Sequence, residues 1–264
     1  YSTITGKYPS RSAHGRDLFQ NNEDRSSVTI PTTKLVDLNG QNDCSEENLA
    51  AAFQQNGYRT GMIGKWHLFD VKRSEYDYSE VQKSIRDCGF NFTEGIYVEN
   101  FGSFSDGSFS HNMEWVTKQA VDFINDDSST DPFFLYFNPT VPHNDEDVEI
   151  AIKNFTCMDT PEGLLTGEPR IKGMTINSSG NFIGCEAYRQ TILDRAGSEF
   201  SNKELGAIWI DDGVGAILRA LEDNGQLDNT SIIFQQDHGI ETKRALYENG
   251  IRIAQFVHYP GALW

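Results

Sequence analysis

The twelve residues GYRTGMIGKWHL, Gly57 to Leu68, hold a helix stop, a buried strand and a polar outlet in one stretch. Gly57 closes a helical pattern; the short apolar run that follows ends at Ile63, too brief for a helix and apolar enough for an interior strand. Gly64 to His67 then emerge at its C-terminal end. Upstream, the acidic, cap-rich segment Asp43 to Asn48 precedes Leu49, Ala52 and Phe53 at helical spacing, so the order is helix, then strand.

The same grammar recurs twice. Val116, Ala120, Phe123 and Ile124 share a helical face, a polar loop runs from Asp126 to Asp131, and Phe133 to Phe137 read as a strand. Leu205, Ile208, Val214, Ile217, Leu218 and Leu221 then define a longer helix, with Gly225 just past its end and a strand over Ser231 to Phe234. Alternation of this kind predicts an α/β architecture. Each strand runs into a polar cluster: Gly64 to His67, Pro142 to Asn144, and Asp237 to Gly239. Open α/β sheets hold ligands at that end. Met158 to Gly184 has little periodicity and reads as a long loop with one hairpin, either lining a substrate cleft or forming a surface insertion.

Composition narrows the function. The 264 residues carry 22 Lys and Arg against 39 Asp and Glu, a net charge of −17, with 38% hydrophobic residues. That apolar fraction supports a folded core and excludes disordered, collagen-like and coiled-coil chains. The negative charge argues against nucleic acid and anionic membranes as partners, and an anionic substrate would need a local basic cluster. The longest apolar run is too short to span a bilayer, and nothing at Tyr1 resembles a signal peptide, so the chain reads as soluble. Cys44, Cys88, Cys157 and Cys185 lack CxxC spacing, which leaves buried thiols or disulfides of unassigned pairing. Sequons at Asn91, Asn154, Asn177 and Asn229 tilt the reading toward secretion.

Among residues able to do chemistry, Lys65 and His67 set a cation and an imidazole at a strand end, and His143 follows a proline-fixed turn as acid or loop anchor. Asp237 and His238 could both reach one divalent cation, though two ligands do not make a site. Lys243 follows after a short loop. Each has a plainer reading as a solvated strand edge or an ordinary turn.

Taken together, these segments resemble the sulfatase family of the alkaline phosphatase superfamily. The resemblance rests on GYRTGMIGKWHL, TGKYPSR at Thr5 to Arg11, PFFLYFNPTVPH at Pro132 to His143, Asp211 to Phe234, then QDHG and KRALYENGIR. It implies a mainly parallel sheet sandwiched between helices, one catalytic domain over 1–264, and hydrolysis of sulfate esters with calcium and a formylglycine. Carried over by position, Lys65 and His67 contact the sulfate, and His143 does likewise and is the candidate to protonate the leaving oxygen. Asp237 and His238 bind calcium, and Lys243 bridges sulfate and nucleophile. A sulfated small molecule or polysaccharide is the implied substrate, and a secreted or lysosome-like compartment the implied location.

The departures are informative too. Formylglycine arises from a C/S-x-P-S/A-R motif followed by six residues that end in Thr-Gly, and Tyr1 to Gly6 match that six-residue tail. The nucleophile and two further calcium-binding aspartates are therefore expected upstream of Tyr1, and the C-terminal subdomain beyond Trp264. Lys7-Tyr8-Pro9-Ser10-Arg11 carries Lys where the convertible residue belongs and is the ordinary downstream segment. Gln236, Phe69, Asn144-Asp145 and Ala254 also differ from the usual pattern. The 264 residues alone are expected to turn over no aryl sulfate and to bind calcium weakly. Two alternatives are a phosphodiesterase or phosphonate monoester hydrolase of the same superfamily, and a non-catalytic pseudo-sulfatase that binds sulfated glycans.

Overall fold

Asn48 starts the first long stretch of structure. Its side chain accepts from the Ala51 amide at 3.0 Å and donates to the Cys88 carbonyl at 3.0 Å, capping helix α2 (Leu49–Gln55) and tying it to a distant turn. A computed structural model describes residues 2–6, 48–66, 68, 76–100, 102–104, 107–143, 145–239 and 252–261. A single turn, α1 (Ser2–Thr5), precedes α2. Strand β1 (Arg59–Lys65) follows, two residues longer than the apolar run suggested.

Chain contacts divide the protein into two units, Tyr1–Ile217 and Leu218–Trp264. In the first, β1 is the middle strand of a three-stranded parallel sheet, between β2 (Phe92–Tyr97) and β5 (Phe133–Asn138). Its interior residues are buried on both faces, as a parallel central strand requires. Helix α3 (Tyr78–Arg86), capped by Asp77, packs Val81 and Ile85 into the core with Met62, Trp66, Phe90 and Ile96. The β3–β4 hairpin (Gly102–Phe104 and Gly107–Phe109) leads into α4 (Met113–Asn125), whose cap is Asn112. Phe123 of α4 meets Phe92 and Phe133 with ring centroids 5.3 and 5.7 Å away, so the predicted apolar face is the one that covers the sheet.

Beyond β5 come α5 (Asp145–Asn154), the two-residue strands β6 (Asp159–Thr160) and β7 (Gly163–Leu164), α6 (Gly184–Ala196) and α7 (Asn202–Asp223), within which the unit boundary falls. Glu114 and Arg189 form a buried pair that fastens these helices. Arg189 Nε donates to Glu114 Oε1 at 2.7 Å and Nη2 to Oε2 at 3.1 Å, while Nη1 donates to the Ala151 and Phe155 carbonyls. The guanidinium also lies 5.1 Å from the ring of buried Trp209.

The segment expected as a long loop, Met158 to Gly184, is closed at its base by a Cys157–Cys185 disulfide whose Cα atoms are 6.2 Å apart. Inside it Ile171, Met174 and Thr175 are buried, the Thr175 hydroxyl donating to Pro169 O and accepting from Ile171 N. Cys88 is disulfide-bonded as well, and no described cysteine is a free thiol. Here the disulfide reading prevails over buried thiols.

In the second unit, β8 (Ile232–Gln235) pairs antiparallel with β9 (Gln255–His258), and Phe234 stacks on Phe256 at 4.9 Å. A short 3₁₀ turn (Leu227–Asn229) and Gly225, in the left-handed region at φ 66°, lead into this ribbon. No helix among the described residues is long and apolar enough to cross a membrane.

Candidate functional site

Lys65 leaves the sheet at an irregularity. The pairing of β1 with β2 shifts register between Met62 and Gly64, so that Gly64 pairs with Ile96 and Lys65 with Tyr97. Gly64 has φ 99°, and a Cβ placed there would lie 2.1 Å from Asn138 O. No side chain fits between β1 and β5 at that level. The close approach lets the Asn138 amide donate to Lys65 O at 2.9 Å, which locks the two strand ends together where the lysine emerges.

The half-buried Lys65 ammonium donates to Asn100 Oδ1 at 2.8 Å. Asn100 is 3% exposed, and its Nδ2 stands 2.7 Å from His143 Nδ1. One buried amide thus joins the ends of β1 and β5 through their two basic side chains. His143 itself sits in a turn that begins after β5 and contains the cis Val141–Pro142 bond, with its backbone N–H donating to Thr140 O at 3.0 Å.

Beneath that turn lies His111, 1% exposed. Its Nε2 is 3.0 Å from His143 O and its Nδ1 2.8 Å from Thr140 Oγ1. A carbonyl only accepts, so Nε2 carries the proton and Nδ1 accepts from the hydroxyl. Burial is the main reason the His111 pKa falls to about 4; Lys65 and His143 push it further down, and the bond to His143 and the charge of Asp147 oppose the fall. His111 is therefore a neutral strut under the His143 turn.

The polar cluster after β8 belongs to the second unit. Asp237 Oδ1 accepts from His238 N at 3.0 Å, and His238 Nδ1 donates to Gly239 O at 2.7 Å. That bond leaves the lone pair of the neutral ring on Nε2, which stands 3.4 Å from Asp237 Oδ2. Carboxylate oxygen and imidazole nitrogen are thus side by side, a donor pair suited to one cation. Among the described residues, one group of three metal-ligating side chains converges, Cys157, Glu168 and Cys185, and its two sulfurs are joined in the disulfide.

Of the six residues expected to act, the structure brings Lys65 and His143 together and sets Asp237 beside His238. His67 and Lys243 lie outside the described residues. Asn100 and His111 were not anticipated: an asparagine after Glu99 and a histidine before a helix cap carry no local pattern. Asn100 is identified by its contacts with Lys65 and His143, and His111 by its contact with His143 O.

The profile of the Sulfatase family matches residues 8–263. N-acetylglucosamine-6-O-sulfatase of Bacteroides thetaiotaomicron is 22% identical over 307 residues, covering 90% of this chain and 54% of the relative. An ulvan-active sulfatase of Formosa agariphila is 24% identical over 282 residues, covering 98% and 46%. In fold, the chain is similar to the yidJ protein of Bacteroides fragilis, with a TM-score of 0.56 at 20% identity over 98% of this chain and 56% of that one. The chain spans about half the length of the curated relatives it matches.

Proposed function

Because this chain belongs to the sulfatase family, we propose that the whole protein hydrolyses sulfuric esters of a sulfated carbohydrate. The observation that carries the reading is the Lys65–Asn100–His143 contact at the adjoining C-terminal ends of β1 and β5. A sulfate ester spreads negative charge over its oxygens, and a protein of net charge −17 needs a concentrated cationic pocket to receive it. Lys65 supplies a fixed ammonium for the sulfuryl oxygens, and His143 assists departure of the alcohol. His67 and Lys243 complete the basic set by resemblance.

Asp237 and His238 are assigned to calcium. The orientation of the His238 ring, with Nδ1 tied to Gly239 O and Nε2 turned toward Asp237 Oδ2, fits that role. A cation bound there would act as a Lewis acid. Two protein ligands leave most of its coordination to other groups, in keeping with the aspartates expected upstream. The family's nucleophile, a formylglycine, has no convertible Cys or Ser in C/S-x-P-S/A-R context within this chain, so no step is derived through it.

The carbohydrate class is supported by two relatives whose names denote action on N-acetylglucosamine sulfate and on ulvan. A secreted or lysosome-like location is supported by the disulfides at Cys88 and at Cys157–Cys185, and by the exposure of the sequon residues Asn91, Asn154 and Asn229. The test is turnover of a panel of sulfated sugars and of matched phosphate esters by the full-length protein. Sulfate release that falls at least about 100-fold in Lys65→Ala and His143→Ala is expected. Preferential phosphate ester turnover would replace this reading with the phosphodiesterase one, and binding of sulfated sugars without turnover would make the protein a lectin-like descendant.

A further inference from the structure

We infer that Asn100 is a positioning residue that holds His143 as a neutral ring with its proton on Nε2, so that Nε2–H is the donor this side chain offers. The argument begins with Lys65. Its ammonium can only donate, and it contacts Asn100 Oδ1 at 2.8 Å. This fixes which end of the amide is oxygen. The other end, Nδ2, is then a donor, and it stands 2.7 Å from His143 Nδ1. Two donors cannot share that distance, so Nδ1 presents its lone pair and the ring proton of neutral His143 is on Nε2.

The same contact penalises the imidazolium. Adding a proton to Nδ1 would set N–H against N–H inside a site where Asn100 is 3% exposed. Rotating the amide to relieve this would instead turn its NH₂ toward the Lys65 ammonium. The amide can satisfy Lys65 and a neutral His143 together, but not Lys65 and a protonated one. From below, neutral His111 holds the His143 carbonyl at 3.0 Å, which fixes the backbone from which the ring projects. The charged or titratable side chains that act on His111, beneath this cluster, include Lys65, His143 and Asp147. The Lys65 ammonium, bound to the other end of the same amide, also disfavours a second cation.

The consequence for catalysis rests on the sulfatase reading above: in the free enzyme, the Nε2–H of His143 is the hydrogen-bond donor offered to an ester or sulfuryl oxygen on which charge develops. The state of the ring itself does not depend on that reading.

The test is ¹⁵N NMR of the full-length protein labelled at histidine, with the His143 signals identified by their loss in His143→Gln. Nδ1 is expected in the unprotonated range and Nε2 in the protonated range from pH 7.5 down to 6. In Asn100→Asp, a carboxylate that accepts from Nδ1–H should leave both ring nitrogens protonated near neutrality. In Lys65→Met, which frees the amide to rotate, a population with the proton on Nδ1 should appear. A wild-type ring protonated at Nδ1 overturns the inference, and this holds even if Asn100→Asp does not fold. Sulfate ester turnover separates the catalytic half: kcat should drop about tenfold or more in Asn100→Asp with KM little changed. A rise in kcat with the ring protonated overturns the hydrogen-bond role. If the resonances are as expected and no sulfate ester is turned over, the ring inference stands and the sulfuric ester reading falls.

Discussion

His111 makes a quantitative prediction about acid sensitivity. In the unfolded chain its imidazole titrates near 6.5, and in the folded protein, buried under the His143 turn, near about 4. Above pH 6.5 the ring is neutral in both states and contributes no pH dependence. As the pH falls below 6.5, the unfolded ring binds a proton that the folded ring refuses, so stability is lost progressively toward about pH 4 and levels off below it. With these two values the loss attributable to His111 is about 2 kcal/mol at pH 5 and about 3 kcal/mol at pH 4, relative to pH 7.5. Other groups titrate over the same range, so the measurement is a difference of differences. His111→Gln keeps a donor toward His143 O and cannot be protonated. Urea unfolding of both proteins at pH 7.5 and pH 5, followed by the fluorescence of buried Trp66, Trp115 and Trp209, reports the first unit. Wild type should lose about 2 kcal/mol more than His111→Gln between the two pH values. Parallel losses in the two proteins would refute the argument, because they would mean the folded His111 accepts a proton freely.

Other perturbations test the frame around the site. Gly64→Ala would place a methyl against Asn138 O in a left-handed backbone conformation, and should cost about 3 kcal/mol or more, read by urea unfolding. Arg189→Met leaves the Glu114 carboxylate buried without its partner and should cost about 3–5 kcal/mol. The double variant Glu114→Met with Arg189→Met should recover most of that loss, and equal instability of single and double variants would show that the partners are not coupled. Replacing both Cys157 and Cys185 by Ser opens a loop with a sequence separation of 28 and should cost about 3.5 kcal/mol, with faster proteolysis inside 158–184. In the full-length protein, Asp237→Asn should raise the calcium concentration needed for half-maximal activity, by about tenfold for a lost charged ligand, and an unchanged requirement would remove Asp237 from the metal site.

Much of the fold was legible because the informative elements are those with two-sided burial. Strand β1 is apolar along its interior and framed by Gly57 and Gly64, and the helices carrying Phe123 and Leu221 repeat their apolar residues at helical spacing. Strand β2 was not anticipated: FTEGIY contains Glu94 and Gly95, and its identity as a strand comes from pairing with β1 rather than from its own pattern. Helix α6 is equally quiet in sequence, since its buried residues include Arg189, whose partner Glu114 lies 75 positions away. A strand ending at His258 is legible in the sequence, but its antiparallel pairing with β8 could not be read from either strand alone. At the site, Lys65 and His143 were readable because each follows a strand, where side chains leave the sheet. Asn100 and His111 were not, because their importance lies in what they touch.

The disulfide at the foot of 158–184 has a consequence for how this protein changes over generations. Because Cys157 and Cys185 are sutured together, the ends of the loop stay fixed whatever lies between them. Lengthening such a closed loop is thermodynamically cheap, about 0.6 kcal/mol for each doubling. Helices α5 and α6, which flank the suture, need not shift to accommodate new contents. The exposed positions of the segment can therefore accept insertion and substitution, while buried Ile171, Met174 and Thr175 hold its folded part in place.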